Sequence, residues 1–343
     1  MGPMLPRIIC HLAQKTQILM RIVVFRLIAF IALVLVQGWA PPATAQKIFV
    51  SLEKGNHIAV LDASMQVIKR IPTGRRPRDM HFNADRTRLY VACGDDDRID
   101  VINLQSLDVI DHIATGRSPE MFALSSDGQR IYVTNEERST LGVIDVASKR
   151  ILQDIKTATE PEGVAIDGHS RTAFVASEAT DLVQAIDLES GEIAKAIVVG
   201  TRPRRFVFAA GEKELWVANE LSADISIIDV SALKVAASLK VVPPGIQEEH
   251  VTPVGMARSP DGQIIAAALG RANHVALIDV RSRRIRSFIL VGHRPWGVEF
   301  SRDGRLFVTN GLSDDLSIID VARARTSQSV PVGRTPHTVR VLD

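Results

Sequence analysis

The chain is poor in the residues that most redox and metal chemistries need. Of its 343 residues only two are cysteines, Cys10 and Cys93. No Cys-x-x-Cys-His, Cys-x-x-Cys or His-Glu-x-x-His element occurs, so haem attachment, iron–sulfur clusters and zincin-type zinc sites have no sequence support. Tyrosine and tryptophan are scarce, at two and three copies. No basic tract with interleaved aromatics is present, which argues against nucleic acid as a partner. Long apolar runs are missing too. Leu27 to Val36, "LIAFIALVLV", is ten residues, short of the roughly 20 needed to cross a bilayer as a helix.

The apolar run has a different use. Residues 1–45 carry Arg7, Lys15, Arg21 and Arg26 and no acid, and after the run comes "GWAPPATAQ". Ala43-Thr44-Ala45 has the small-x-small form cut by signal peptidases, so 1–45 reads as a secretory signal removed before Gln46. Translation from Met20 instead of Met1 would shorten the long basic lead. The remainder has 37 Lys+Arg against 39 Asp+Glu, so the basic balance of the full chain comes from the signal. The expected location is periplasmic or secreted. Cys93 is then the only cysteine left, and no internal disulfide can form.

What the chain does have is repetition. The proline of a Gly-x-x-Pro element recurs at Pro77, Pro119, Pro161, Pro203, Pro253, Pro295 and Pro336, at intervals of 42, 42, 42, 50, 42 and 41. The residue closing a Val-Ile-Asp element recurs at Asp62, Asn103, Asp145, Asp187, Asp229, Asp279 and Asp320, at intervals of 41, 42, 42, 42, 50 and 41. Two independent markers agree on seven units and on one long gap. In the unit from Pro119 there are four apolar runs, "EMFALS", "RIYVTN", "LGVIDV" and "ILQDIKT", separated by turn residues such as Asp127-Gly128. Four antiparallel strands in about 42 residues make a propeller blade.

The expected fold is therefore all-β, a seven-bladed β-propeller over residues 46–343. The opening "KIFVSLEKGNHIAVLDASMQVIKRIPTG" supplies three strands, and the closing "PHTVRVLD" supplies one. The last strand should complete the first blade and remove a free sheet edge. The repeated aspartates fall at strand ends, where Asp caps turns through its own backbone, and are read as structural.

Tyr132-Val133-Thr134-Asn135, with its variants Tyr90 to Cys93, Trp216 to Asn219 and Phe307 to Asn310, resembles the YVTN family of β-propeller repeat proteins over essentially all of 47–343. "RPRRFVFAAGEKELWVANE" (202–220), "IQEEHVTPVGMARSPDG" (246–262) and "ALGRANHVALIDV" (268–280) resemble exported propellers associated with pyrroloquinoline-quinone (PQQ)-dependent catabolism. That resemblance implies work beside a periplasmic quinoprotein alcohol dehydrogenase and an ABC-transporter component, with PQQ as a candidate ligand.

Blade geometry places the Gly-x-x-Pro loops and the loops after YVTN on one face. The long gap puts its extra residues, in "VVPPGIQEEHVTP", on that face also, where function on a rigid scaffold tends to reside. The residue after each proline should ring the axial opening: Arg78, Glu120, Glu162, Arg204, Val254, Trp296 and His337. Behind it stand Glu136, Glu178 and Glu220, and His250 sits on the insertion. An acidic arc would face an arc of Arg, Trp and His, suited to a carboxylate and a flat ring. These residues favour a binding or accessory role without catalysis. Two alternatives stay open: a lactonase-like hydrolase using Glu120, Glu162, His250 and His337, and a pure protein-interaction scaffold.

Overall fold

The computed structural model describes residues 46–343; the signal expected over 1–45 lies outside them. Seven four-stranded antiparallel sheets surround an axis. Blade 1 is made of Lys47–Leu52, His57–Leu61 and Val67–Pro72, and its innermost strand is the C-terminal Pro336–Leu342. Val339 pairs with Val50 and Val341 with Ile48, so the two ends of the propeller are fastened as the sequence requires. Blades 2 to 7 each take four consecutive strands, beginning at Pro77, Pro119, Pro161, Pro203, Pro253 and Pro295.

Burial follows position within the blade. The second strand, such as Arg130–Asn135, is buried on both faces because each side packs on a neighbouring blade. The outermost strand of the same blade, Ile151–Lys156, buries only Ile155. One inter-blade core joins Ile48, Val50 and Leu61 of blade 1 to Phe307, Leu316 and Ile318 of blade 7. No blade can cover both faces alone, and seven wedges around a ring cover each other.

The repeat motifs now have physical reasons. The threonine of YVTN reaches the next blade: Thr134 Oγ1 donates to the Glu162 carbonyl at 2.6 Å and Thr309 Oγ1 to the His337 carbonyl at 2.8 Å. Ser51 does the same to the Arg78 carbonyl at 2.8 Å. The glycine of Gly-x-x-Pro lies against the YVTN asparagine. A Cβ on Gly116 would stand 2.5 Å from the Asn135 side chain, and one on Gly292 would stand 2.7 Å from Asn310. Gly116→Ala is expected to destabilise the fold by about 1–3 kcal/mol through this overlap, read as a lower urea midpoint at unchanged slope. The aspartates cap turns as expected: Asp145 Oδ1 accepts from the Ser148 amide at 2.7 Å and Asp279 Oδ1 from the Ser282 amide at 2.8 Å.

A turn invisible in the repeat pattern controls the axial face. The residue before the proline is left-handed at six blades: Arg76, Ser118, Glu160, Arg202, Arg294 and Thr335 have φ between 53° and 59°. A side chain in that region costs energy, on the order of 1 kcal/mol or more, unless its surroundings hold it. At five of the six, all but Glu160, a side-chain acceptor on the preceding blade holds the backbone amide. Arg76 N donates to Asn56 Oδ1 at 3.1 Å, Arg202 N to Asp181 Oδ1 at 2.9 Å, and Arg294 N to Asn273 Oδ1 at 2.9 Å. The insertion replaces this turn at blade 6, where Thr252 Oγ1 instead accepts from Arg271 N at 2.8 Å.

Candidate functional site

Charged residues on the Gly-x-x-Pro face meet around the axis. Arg78, Glu120, Glu162, Arg204, Trp296 and His337 come together as the sequence places them, with Glu136, Glu178 and Glu220 behind. The two expected arcs do not confront each other across an open mouth. Each acid except Glu136 is taken by an arginine of its own or an adjacent blade. Glu120 receives Arg78 directly and Arg76 Nη2 at 2.7 Å. Glu53 of blade 1 lies 3.4 Å from Arg78. Arg204 bridges three acids, with Nη1 3.2 Å from Glu162, Nε 2.8 Å from Glu220 and a direct pair to Glu178. Glu136 joins through Ser118, whose hydroxyl donates to it at 3.3 Å.

Burial accompanies the pairing. Glu120 is 1 % exposed, Glu178 4 %, Arg204 9 % and His337 2 %. The ring is therefore a plug over the channel, and its charges are held in pairs away from water. His250 is not part of it: that residue is exposed on the insertion. Among the described residues no three His, Cys, Asp or Glu side chains are arranged to hold a metal ion.

The plug is not electrically balanced. Burial, and the charge of Glu162, raise the Glu120 carboxyl to about 8 despite Arg78 and Arg76. Burial and Glu162 raise Glu178 likewise to about 8, despite Arg204 and Arg202. Glu162 goes the other way: burial opposes its charge, but Arg204 and Arg78 outweigh burial and lower it. Burial and the shared negative charge of Glu162 thus hold the Glu120 and Glu178 carboxyls above the ordinary glutamate range. His337 is pushed well below the usual imidazole value by burial and by Arg205, Arg78 and Arg204, so it is neutral at pH 7.

On the blade 5 to 7 side the plug carries an aromatic face. Trp296 stacks on His337 with ring centroids 5.6 Å apart. The Arg294 guanidinium lies 4.9 Å from the indole centroid and that of Arg204 5.6 Å. Arg202 and Arg294 also reach Glu220, at 3.1 Å each, so three guanidinium groups share one carboxylate. Arg76, Arg202 and Arg294 were not anticipated as site residues. The left-handed turn before the proline swings them to the mouth, and the only sequence signal was the recurring Arg-Pro step.

Cys93 occupies the YVTN asparagine position in blade 2 and is fully buried. Burial and Asp100 push its thiol up, and an inert thiol results.

With this geometry in hand, a family profile described as YNCE-like beta-propeller matches residues 42–172 and 164–343. The chain belongs to the YNCE-like beta-propeller family. No curated protein matches this YNCE-like propeller significantly by sequence. Solved structures with a similar fold include the periplasmic gluconolactonase of Pseudomonas aeruginosa, 18 % identical with a TM-score of 0.75 over 88 % of this chain and 99 % of that one. Hydrazine synthase of Kuenenia stuttgartiensis is 21 % identical with a TM-score of 0.72 over 80 % and 92 %. A putative 6-phosphogluconolactonase of Bacteroides fragilis is 15 % identical with a TM-score of 0.74 over 89 % and 100 %. At these identities the likeness is one of fold.

Proposed function

We propose that this YNCE-like propeller is an exported, non-catalytic binding protein that receives a flat anionic ligand on its Gly-x-x-Pro face. The observation that carries the reading is Trp296, half-buried at the mouth with Arg294 and Arg204 against its ring. Arg202 and Arg294 are half-buried and share Glu220, so they retain capacity for an incoming carboxylate. Burial raises the Glu178 carboxyl, which weakens its hold on the Arg202 and Arg204 guanidinium groups beside Trp296.

PQQ, a flat aromatic polycarboxylate, suits that chemistry, and we assign the protein to PQQ-dependent alcohol catabolism beside a periplasmic quinoprotein dehydrogenase or an ABC-transporter component. Titration of the protein with PQQ is expected to give one-to-one binding with quenching of tryptophan fluorescence. Trp296→Leu and Arg294→Ala should each weaken binding at least tenfold, about 1.4 kcal/mol. No heat and no absorbance change would remove the quinone as ligand. Capture of a dehydrogenase or transporter component from the periplasm tests the partner separately.

A second reading, a hydrolase, draws on Glu120 and Glu178, whose carboxyls titrate at about 8 and are suited to acid–base work near neutrality. Gluconolactonases among the similar folds lend it a substrate class. Both carboxyls are buried and paired with arginines, so neither is presented to a substrate, and the binding reading is preferred. Turnover of a gluconolactone that Glu178→Gln abolishes would reverse that preference.

A further inference from the structure

Beneath the plug the axial channel widens into a cavity of about 110 Å3. Its wall includes the second residue after six of the seven prolines: Met121, Gly163, Arg205, Gly255, Gly297 and Thr338. The three glycines are required by close approach of the innermost strands. A Cβ on Gly163 would lie 2.0 Å from the Arg204 carbonyl, and one on Gly255 2.0 Å from that of Trp296. A consequence is that Arg205 has a bare wall on the blades to either side of it.

Arg205 is half-buried and lines this cavity. Among the described residues no carboxylate lies within ion-pair distance of its guanidinium. Its polar neighbour is the neutral His337 ring, at 3.4 Å and 3.5 Å. Asp79, on the same level of the channel, is already occupied. It receives His81 Nε2 at 2.9 Å, Arg340 Nη2 at 3.4 Å and the Phe122 amide at 3.2 Å. Glu299 faces Arg340 at 3.3 Å, and Glu162 faces Arg204. Burial, with repulsion from Arg340 and Arg204, holds the Arg205 guanidinium below its ordinary pKa, although Asp79 and Glu162 oppose that shift. An enclosed guanidinium without a counter-charge is costly to the fold.

We propose that the channel is a binding site for a small monocarboxylate anion, gripped by Arg205. The single spare positive charge matches a monoanion. The planar fork of Arg205 matches a carboxylate head. Phe122, Phe206, Met256 and Val298 give the wall an apolar part beside His81, Thr338 and Arg340, so an organic tail is favoured over a halide. The volume limits the ligand to roughly two to four carbons, because a cavity of about 150 Å3 already holds benzene. The plug closes the Gly-x-x-Pro end, so the ligand enters from the Asp-Gly face, past His81 and Arg340. This site is separate from the Trp296 surface.

Calorimetric titration of the purified protein with acetate, propionate and butyrate tests the assignment, with chloride and phosphate as inorganic arms. The expected result is one-to-one binding that strengthens with the apolar tail, and a Tm that rises with ligand. Arg205→Met should lose this binding at least tenfold. In ligand-free buffer the same variant should melt no lower than the parent, because it removes an unpaired buried charge; this shows that the variant is folded. Arg117→Ala, which removes an exposed charge that does not line the cavity, should bind as the parent does. Absence of carboxylate binding, undiminished binding by Arg205→Met, or equal binding of chloride or phosphate would each overturn the proposal.

Discussion

Deletion of residues 336–343 is expected to abolish the cooperative unfolding transition. The lost strand supplies Val339 and Val341 to the core shared by blades 1 and 7. It carries the pairing from Lys47↔Leu342 to Leu52↔Pro336, together with the amide of Thr338 that donates to Ser51 Oγ at 3.0 Å. Burial of each such apolar side chain contributes about 1.5–3 kcal/mol. Removal also opens the edge of Lys47–Leu52 to water and to other chains. The sum approaches the roughly 5–15 kcal/mol by which a domain is stable at all. Circular dichroism on heating should show a broad, non-cooperative change, accompanied by self-association. A sharp transition at the parent temperature would refute closure by this strand.

Arg204→Met is the second large effect, and its size should depend on pH. The substitution strands Glu162, Glu178 and Glu220, which share its guanidinium. Breaking a buried pair by removing one partner costs about 3–5 kcal/mol, a Tm loss of roughly 10 °C for a chain of this size. The parent already depends on pH through the same group. Glu120 and Glu178 bind protons more tightly folded, at about 8, than in the ordinary glutamate range near 4.5. The stability they contribute is fully present below 4.5 and is lost as pH rises through about 8. The parent Tm should therefore fall from pH 6 to pH 9. In Arg204→Met the stranded acids can take up protons at pH 6 but not at pH 9, so the deficit should widen with pH. A pH-independent deficit would show that Arg204 acts through packing on Trp296 alone.

Much of this was legible in the chain itself. Seven blades, the shared strand of blade 1, the turn-capping role of Asp145 and its counterparts, and the face carrying the insertion all follow from two markers recurring at about 42 residues. These properties are set by strand periodicity and turn chemistry, which are local. The residues after each proline were also identified, because they are where the repeat loses its uniformity. Their mutual relation was not. Whether Arg204 faces an open mouth or sits buried among three acids depends on how closely adjacent wedges approach, and no single blade contains that distance. Arg76, Arg202 and Arg294 escaped notice because a left-handed turn, held by an acceptor from the blade before, redirects them.

By itself the sequence determined the ring, its number of wedges, the way its ends are joined and which loops share a face, since each follows from strand periodicity and turn chemistry that recur in every repeat. Only the tertiary structure decided that the axial charges form a buried plug, that two of its carboxyls are held above the ordinary glutamate range, and that Arg205 is left without a counter-ion. Those outcomes depend on burial and on distances between strands some 42 residues apart or more, and on how many donors compete for each carboxylate.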